Sequence, residues 1–160
     1  MLKQLILFAF TIFIVGCSKP IYKTQDSALI VIKSKSLRYA DMGFIYNGKN
    51  RTKVDIYSNG QALLAIEMYN DSICMGDFKC MSYEQFNSRF LSKDYPEHLF
   101  RNIFTSNDIF NSQNLIKNQN EYTQEIKSDN YDIIYKRGKN ITTFRDKKNS
   151  ILIKIKKIKG

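Results

Sequence analysis

Cys74 and Cys80, in the stretch Cys74-Met-Gly-Asp-Phe-Lys-Cys80, are spaced to meet across a turn. With a loop of Gly76 to Phe78, Met75 pairs with Lys79 and Cys74 lies opposite Cys80, within the Cα separation a disulfide needs. With a two-residue turn at Gly76-Asp77, Cys74 faces Lys79 instead and the bond is strained. Register therefore decides between a disulfide, free buried thiols and a redox or metal site, and an oxidising compartment favours the disulfide. A Cys pair without a second Cys or His cluster does not make a zinc site, so neither a metal nor a cofactor is expected. His98 is the only histidine. No nucleophile or orienting acid is recognisable beside it, and it reads as a surface or boundary residue. Asp41, Asp55 and Glu67 stand singly within strand-like runs and read as solvent-face or salt-bridged carboxylates. The chain has no G-x-S-x-G, H-E-x-x-H, P-loop or paired acidic motif, and enzyme chemistry is not expected.

A second set of residues suits apolar ligands. Tyr39, Phe44, Tyr46, Phe86, Phe90, Phe100 and Phe104 could line a concave sheet and a helical cover, and a space left between them would accept acyl chains, because burying methylenes is favourable without directional contacts. The same residues would also make an ordinary filled core. Positive charge collects at the carboxyl end in Lys147, Lys148, Lys154, Lys156, Lys157 and Lys159. Of these, Lys154, Lys156, Lys157 and Lys159 are the candidates for contact with anionic lipid phosphates. The formal charge of +10 is shared with an abundance of Asn and Ile that an AT-rich genome alone would produce, so a merely solvated lysine face stands as the alternative.

These residues need elements to hold them. A length of 160 residues with 43% hydrophobic side chains fits one globular domain, and 25% charged residues with two prolines does not describe a disordered chain. Strands are expected at Ala28 to Lys33, Leu37 to Tyr46, Lys53 to Tyr57 and Gln61 to Tyr69, with Asn59-Gly60 as a type I′ hairpin turn, followed by Ser72 to Met75 and Phe78 to Met81. Ser82 and Gln85 form a capping box that opens a helix bearing Phe86 and Phe90. A second helix is expected from Pro96, placing Leu99, Phe100, Ile103 and Phe104 on one face. Residues 105–120 fit either a loop or a further short helix. Strands resume at Glu121 to Lys127, Tyr131 to Lys136, Ile141 to Arg145 and Ser150 to Ile158, the last with alternating Ile and Lys. Strands, helices and strands in that order make an α+β fold, one antiparallel sheet with the helical insert packed on one face.

The amino terminus reads as an address. Lys3 precedes Leu5 to Val15, an uncharged run too short for the roughly 20 residues of a membrane-spanning helix. It ends in Ile14-Val15-Gly16-Cys17, which closely resembles the lipobox of bacterial lipoproteins. That resemblance implies a signal peptide at residues 1–16, diacylglyceryl transfer to the Cys17 thiol, cleavage after Gly16 and acylation of the new amine. It also implies attachment to a membrane through acyl groups and a disulfide-permissive compartment. Ser18 after the cysteine favours the outer membrane over inner-membrane retention, with the domain facing the periplasm, and an exported protein is not expected to bind nucleic acid. Residues 17–27, with Pro20 and no apolar periodicity, read as a lipidated tether, and residues 28–160 as one globular domain.

The lipobox at Cys17, the Pro-containing helical segment Ser82 to Phe104 between two groups of strands, and the terminal Tyr131-Asp-Ile-Ile-Tyr135 with Ile151-Leu-Ile-Lys-Ile155 together resemble the LolA/LolB family of lipoprotein carriers and receptors. The resemblance covers nearly all of the mature chain in outline. It implies a curved antiparallel sheet, an incomplete barrel, closed by a small helical lid. It also implies a non-enzymatic function, with acyl chains or lipoproteins bound between sheet and helices. The sequence carries no Trp, which is frequent in that family. A structural or accessory lipoprotein with a filled core is the alternative expectation.

Overall fold

A computed structural model describes residues 22–76 and 79–158. Cys17, the apolar run before it and Lys159 lie outside the described residues. Chain order is β1 (Thr24–Lys33), β2 (Arg38–Asn47), β3 (Thr52–Ser58), β4 (Gln61–Met68), β5 (Ile73–Met75) and β6 (Lys79–Met81). Then come α1 (Tyr83–Phe90), α2 (Leu99–Phe104), a tight turn at Phe110–Ser112, β7 (Leu115–Asn118), β8 (Glu121–Lys127), β9 (Asp132–Gly138), β10 (Ile141–Asp146) and β11 (Ile151–Lys157). The strands make one 11-stranded antiparallel sheet in the order β6-β5-β4-β3-β2-β1-β11-β10-β9-β8-β7. It is not closed. The first and last strands pair at its centre, Ile30 opposite Ile155, so the two halves of the chain form two wings and the helices cross from one edge to the other.

Alternation sorts each strand between two faces. The inner face carries Ala28, Ile30 and Ile32, then Val54 and Ile56, Ile66 and Met68, Ile133 and Tyr135, Phe144, and Ile151, Ile153 and Ile155. These form one continuous core with Tyr83, Phe86, Leu99, Phe100, Ile103 and Phe104 of the helices. Asn59 and Gly60 have φ of 50° and 78°, the paired positive values the Asn-Gly turn requires. Gly43 marks a close approach of β2 and β3: a Cβ there would lie 2.3 Å from the carbonyl oxygen of Asp55 and 2.9 Å from Ile30 Cδ1.

Three boundaries differ from the sequence reading. β1 starts at Thr24, inside the stretch assigned to the tether, because Thr24 to Ser27 pair through backbone groups with Phe44 to Asn47, which needs no apolar pattern. Pro96 lies in a turn ahead of α2, its carbonyl accepting from Leu99 N–H at 3.1 Å, and the helix begins only at Leu99. Residues 105–120 contain the tight turn and strand β7, with Phe110, Asn111, Ser112 and Asn114 all at positive φ. Gln124 supports this unusual backbone, accepting from Ile109 N–H at 3.0 Å and donating to Ile109 and Gln113 carbonyls at 2.8 Å.

Candidate functional site

The inner site is an aromatic layer built by the helices. Ser82 caps α1: its hydroxyl accepts from Gln85 N–H at 3.1 Å, and Gln85 Oε1 accepts from Ser82 N–H at 3.2 Å. The cap fixes the helix phase that turns Phe86 inward. Phe86 packs on Phe90 at 5.1 Å and on Phe100 at 4.9 Å, and Phe100 on Phe104 at 4.9 Å, between ring centres. Phe86 and Phe100 are 0% exposed and Phe104 2%. Phe90 and Tyr39 are half-buried against the same core.

Polar contacts fasten this helical cover at its rim. Tyr83 donates to the Tyr69 carbonyl at 2.6 Å and Arg101 to Asn70 Oδ1 at 3.1 Å, both at the β4–β5 turn. Ser36, between β1 and β2, donates to the Arg89 carbonyl at 3.2 Å. Tyr135 donates to the Asn107 carbonyl at 2.9 Å, and Arg137 pairs with Asp108. The strongest latch is Tyr95, whose hydroxyl donates to Asp146 Oδ2 at 2.5 Å. Asp146 also accepts from Asn149 Nδ2 at 2.6 Å and from the N–H groups of Asp132, Lys148 and Asn149. Burial, then the neighbouring Asp146 carboxylate, push the Tyr95 phenol far above its ordinary range. Burial alone would raise Asp146, yet the hydrogen bonds from Tyr95, Asn149 and the backbone outweigh it and hold the carboxyl below its usual value. Burial pushes Tyr83 up to about 12.

Phe44 and Tyr46 depart from the expected lining. They alternate with Gly43 and Ile45 in β2, so they project from the outer face, away from the helices. There Phe44 meets Tyr46 at 6.2 Å and Tyr57 at 5.8 Å, and Tyr46 meets Tyr22 at 5.5 Å. Lys53 lies over the Tyr46 ring and bridges to Asp55 Oδ2 at 2.8 Å, while the buried Asp55 Oδ1 has no partner. Glu67, opposite Lys53, accepts from Tyr22 and, at 2.5 Å, from Tyr69. Burial raises its pKa less than these two phenols, Arg51 and Lys53 lower it, so Glu67 is held ionised.

Cys74 pairs with Glu67 on one side and with Cys80 on the other, and the two cysteines are joined by a disulfide with Cα atoms 3.9 Å apart. Met75 opposes Lys79, the register in which the bond closes. A cleft of about 290 Å³ runs along this edge, with Lys53, Glu67, Tyr69 and the disulfide as walls. It and the clefts beside Arg145 and Arg89 open on the surface, and none has Phe86, Phe90, Phe100 or Phe104 in its lining.

The lysines also divide. Lys154 and Lys156 point outward and are exposed. Lys157 falls on the inner parity and pairs with Asp26 at 2.8 Å, so it is engaged within the protein and not presented with the other two. His98 is exposed, edge-on to the Tyr83 ring at 4.7 Å. Asp41 accepts from the N–H of Met42 at 2.8 Å. Among the described residues no three His, Cys, Asp or Glu side chains converge as a metal site would require, and no helix is long and apolar enough to cross a membrane. Tyr95, Asp146 and Arg137, which fasten the cover, and Gln124, which holds the backbone at Ile109, were not singled out from the sequence, because each acts on a partner 15 to 51 residues away. No protein-family model, no curated protein and no solved structure matches the chain.

Proposed function

We propose that the protein is a non-enzymatic lipoprotein of the bacterial envelope, anchored by acyl groups at Cys17 to the outer membrane, that binds acyl chains or acylated proteins between its sheet and its helical cover. The observation that supports this is an unclosed antiparallel sheet whose inner face is covered by two short helices through aromatic and aliphatic contacts, with the polar fastenings at the rim. An acyl chain offers the inner side chains the same dispersion and the same exclusion of water as the rings of Phe86, Phe100 and Phe104. Entry therefore needs the cover to move outward, which requires the buried Tyr95–Asp146 hydrogen bond and the Tyr135–Asn107 hydrogen bond to open or to shift with it. The resemblance of the sequence to the LolA/LolB family is a second support for this reading.

A second reading, an accessory lipoprotein of an envelope complex with a permanently filled core, draws on the complete burial of Phe86, Phe100 and Ile103. Titration with a fluorescent fatty acid and a triacylated peptide separates the two. The carrier takes up one equivalent saturably, and Phe90→Asp, at a half-buried position that tolerates a charge better than Phe86, weakens uptake at least tenfold in a folded protein. No uptake, with crosslinking in cells that captures one constant protein partner, establishes the accessory role instead.

A further inference from the structure

We propose that the outer face of the central strands is a docking surface for an anionic phospholipid bilayer, so that the protein lies with its sheet on the membrane and its helices turned away. The inference rests on the membrane-anchored reading for its setting, but not on acyl-chain uptake. Three cross-strand rows define the surface. One runs Ile141, Lys156, Leu29, Met42; the next Lys136, Thr143, Lys154, Val31, Ala40; the third Ile134, Arg145, Leu152, Lys33, Arg38.

Two properties set this face apart from an ordinary solvated sheet. Lys33, Arg38, Lys136, Arg145, Lys154 and Lys156 are all exposed, and among the described residues Asp132 is the only carboxylate of these five strands with the same parity. Leu29, Met42 and Ile141 are 40%, 42% and 40% exposed, and they share one row with Lys156. A bilayer interface takes both kinds of side chain found on this face: phosphates receive the ammonium and guanidinium groups, and the acyl boundary receives Leu, Met and Ile. The aromatic group Tyr22, Phe44, Tyr46 and Tyr57 continues the same face toward β3, with the amphipathic rings that membrane–water interfaces favour.

Chain length supplies the second argument. Cys17 precedes Tyr22 by five residues, a span of at most about 17 Å when extended. A domain tethered at Cys17 is therefore held within reach of the headgroups, where attraction decaying over a Debye length of roughly 8 to 10 Å acts on its basic face.

Amine acetylation with mass-spectrometric readout tests the orientation on the full-length protein, reconstituted on vesicles of phosphatidylcholine alone or with one third phosphatidylglycerol. We expect Lys136, Lys154 and Lys156 to react roughly tenfold more slowly on the anionic vesicles, with Lys93, exposed beyond α1, unchanged. Raising salt to about 1 M should remove the difference, and Lys154→Gln with Lys156→Gln should reduce it at Lys136. Equal rates on both vesicles, uniform slowing of all lysines, or selective protection of Lys93 overturns the proposal. So does protection that appears only when a soluble acidic protein or nucleic acid is added. Each of these outcomes can occur whether or not the protein takes up a fatty acid, so the two proposals fail separately.

Discussion

Phe144 and Arg145 are neighbours in β10, and Ile153 and Lys154 in β11, yet Phe144 and Ile153 are 0% exposed while Arg145 and Lys154 stand in solvent. Alternate residues of the same strands thus make an inner face ruled by packing and an outer face largely free of it. Composition on the inner face is dictated by the need to fill space against the helices. Composition on the outer face is not set by packing against the helices, so its cations and exposed aliphatics need a different account from the buried aromatics. Aromatic residues occur on both faces, so residue type alone does not say which role a ring plays.

Truncation is the most direct way to break this distinction. Phe100→Ala, at the centre of the inner layer, should cost about 3 to 5 kcal/mol, through lost transfer energy and the cavity left between α1 and α2. Phe44→Ala, on the outer face and half-buried, should cost about 1 kcal/mol. Urea unfolding followed by circular dichroism reads both. Equal losses would mean that the outer aromatic cluster is a second core and not a surface.

A smaller loss is expected where the cover meets the β10–β11 turn. Asp146→Ala removes the acceptor for Tyr95, Asn149 and three backbone N–H groups, and should cost about 3 kcal/mol. Because Asp146 and Glu67 are both held below their usual values in the folded protein, each contributes stability that is present above the ordinary carboxylate pKa near 4 and is lost as pH falls through the depressed folded value. Urea midpoints measured between pH 7 and pH 2 should therefore fall on the acid side, and Asp146→Ala should flatten that slope. An unchanged slope would mean that the buried carboxyl does not titrate with unfolding.

The elements were legible where a local rule governs them. Asn59-Gly60 sets its hairpin, Ser82 with Gln85 starts α1, and the Ile and Lys alternation after Ser150 assigns the faces of β11. The paired terminal strands at the sheet centre were not legible, because a contact between Ile30 and Ile155 leaves no mark in either segment alone. Phe110 to Asn114 were illegible for a different reason: non-glycine residues at positive φ follow no propensity, and Gln124, ten residues or more along the chain, is what holds them. Phe44 and Tyr46 show the limit for sites. LRYADMGFIY has apolar residues on both parities, and only the packing of Gly43 and Ile45 inward shows which parity faces the helices.

A smaller effect than that at Asp146 is expected at the sheet edge, where the Cys74–Cys80 disulfide belongs to neither the inner packing nor the basic surface. The bond closes a short loop, with a sequence separation of 6, and in the chain-entropy account it acts chiefly on the unfolded ensemble. For a loop of this size the contribution is about 2 kcal/mol. Reduction should lower the unfolding free energy by that amount, read from a lower urea midpoint at unchanged m-value, while leaving the lysine-acetylation contrast on anionic vesicles intact, since Lys136, Lys154 and Lys156 lie on the other side of β1. Alkylating the denatured, unreduced chain should leave residues 74 and 80 unlabelled. If reduction instead abolished vesicle docking, the hairpin of β5 and β6 would have to be counted as part of the membrane-facing surface, and the division between the two faces would need to be redrawn along the sheet edge.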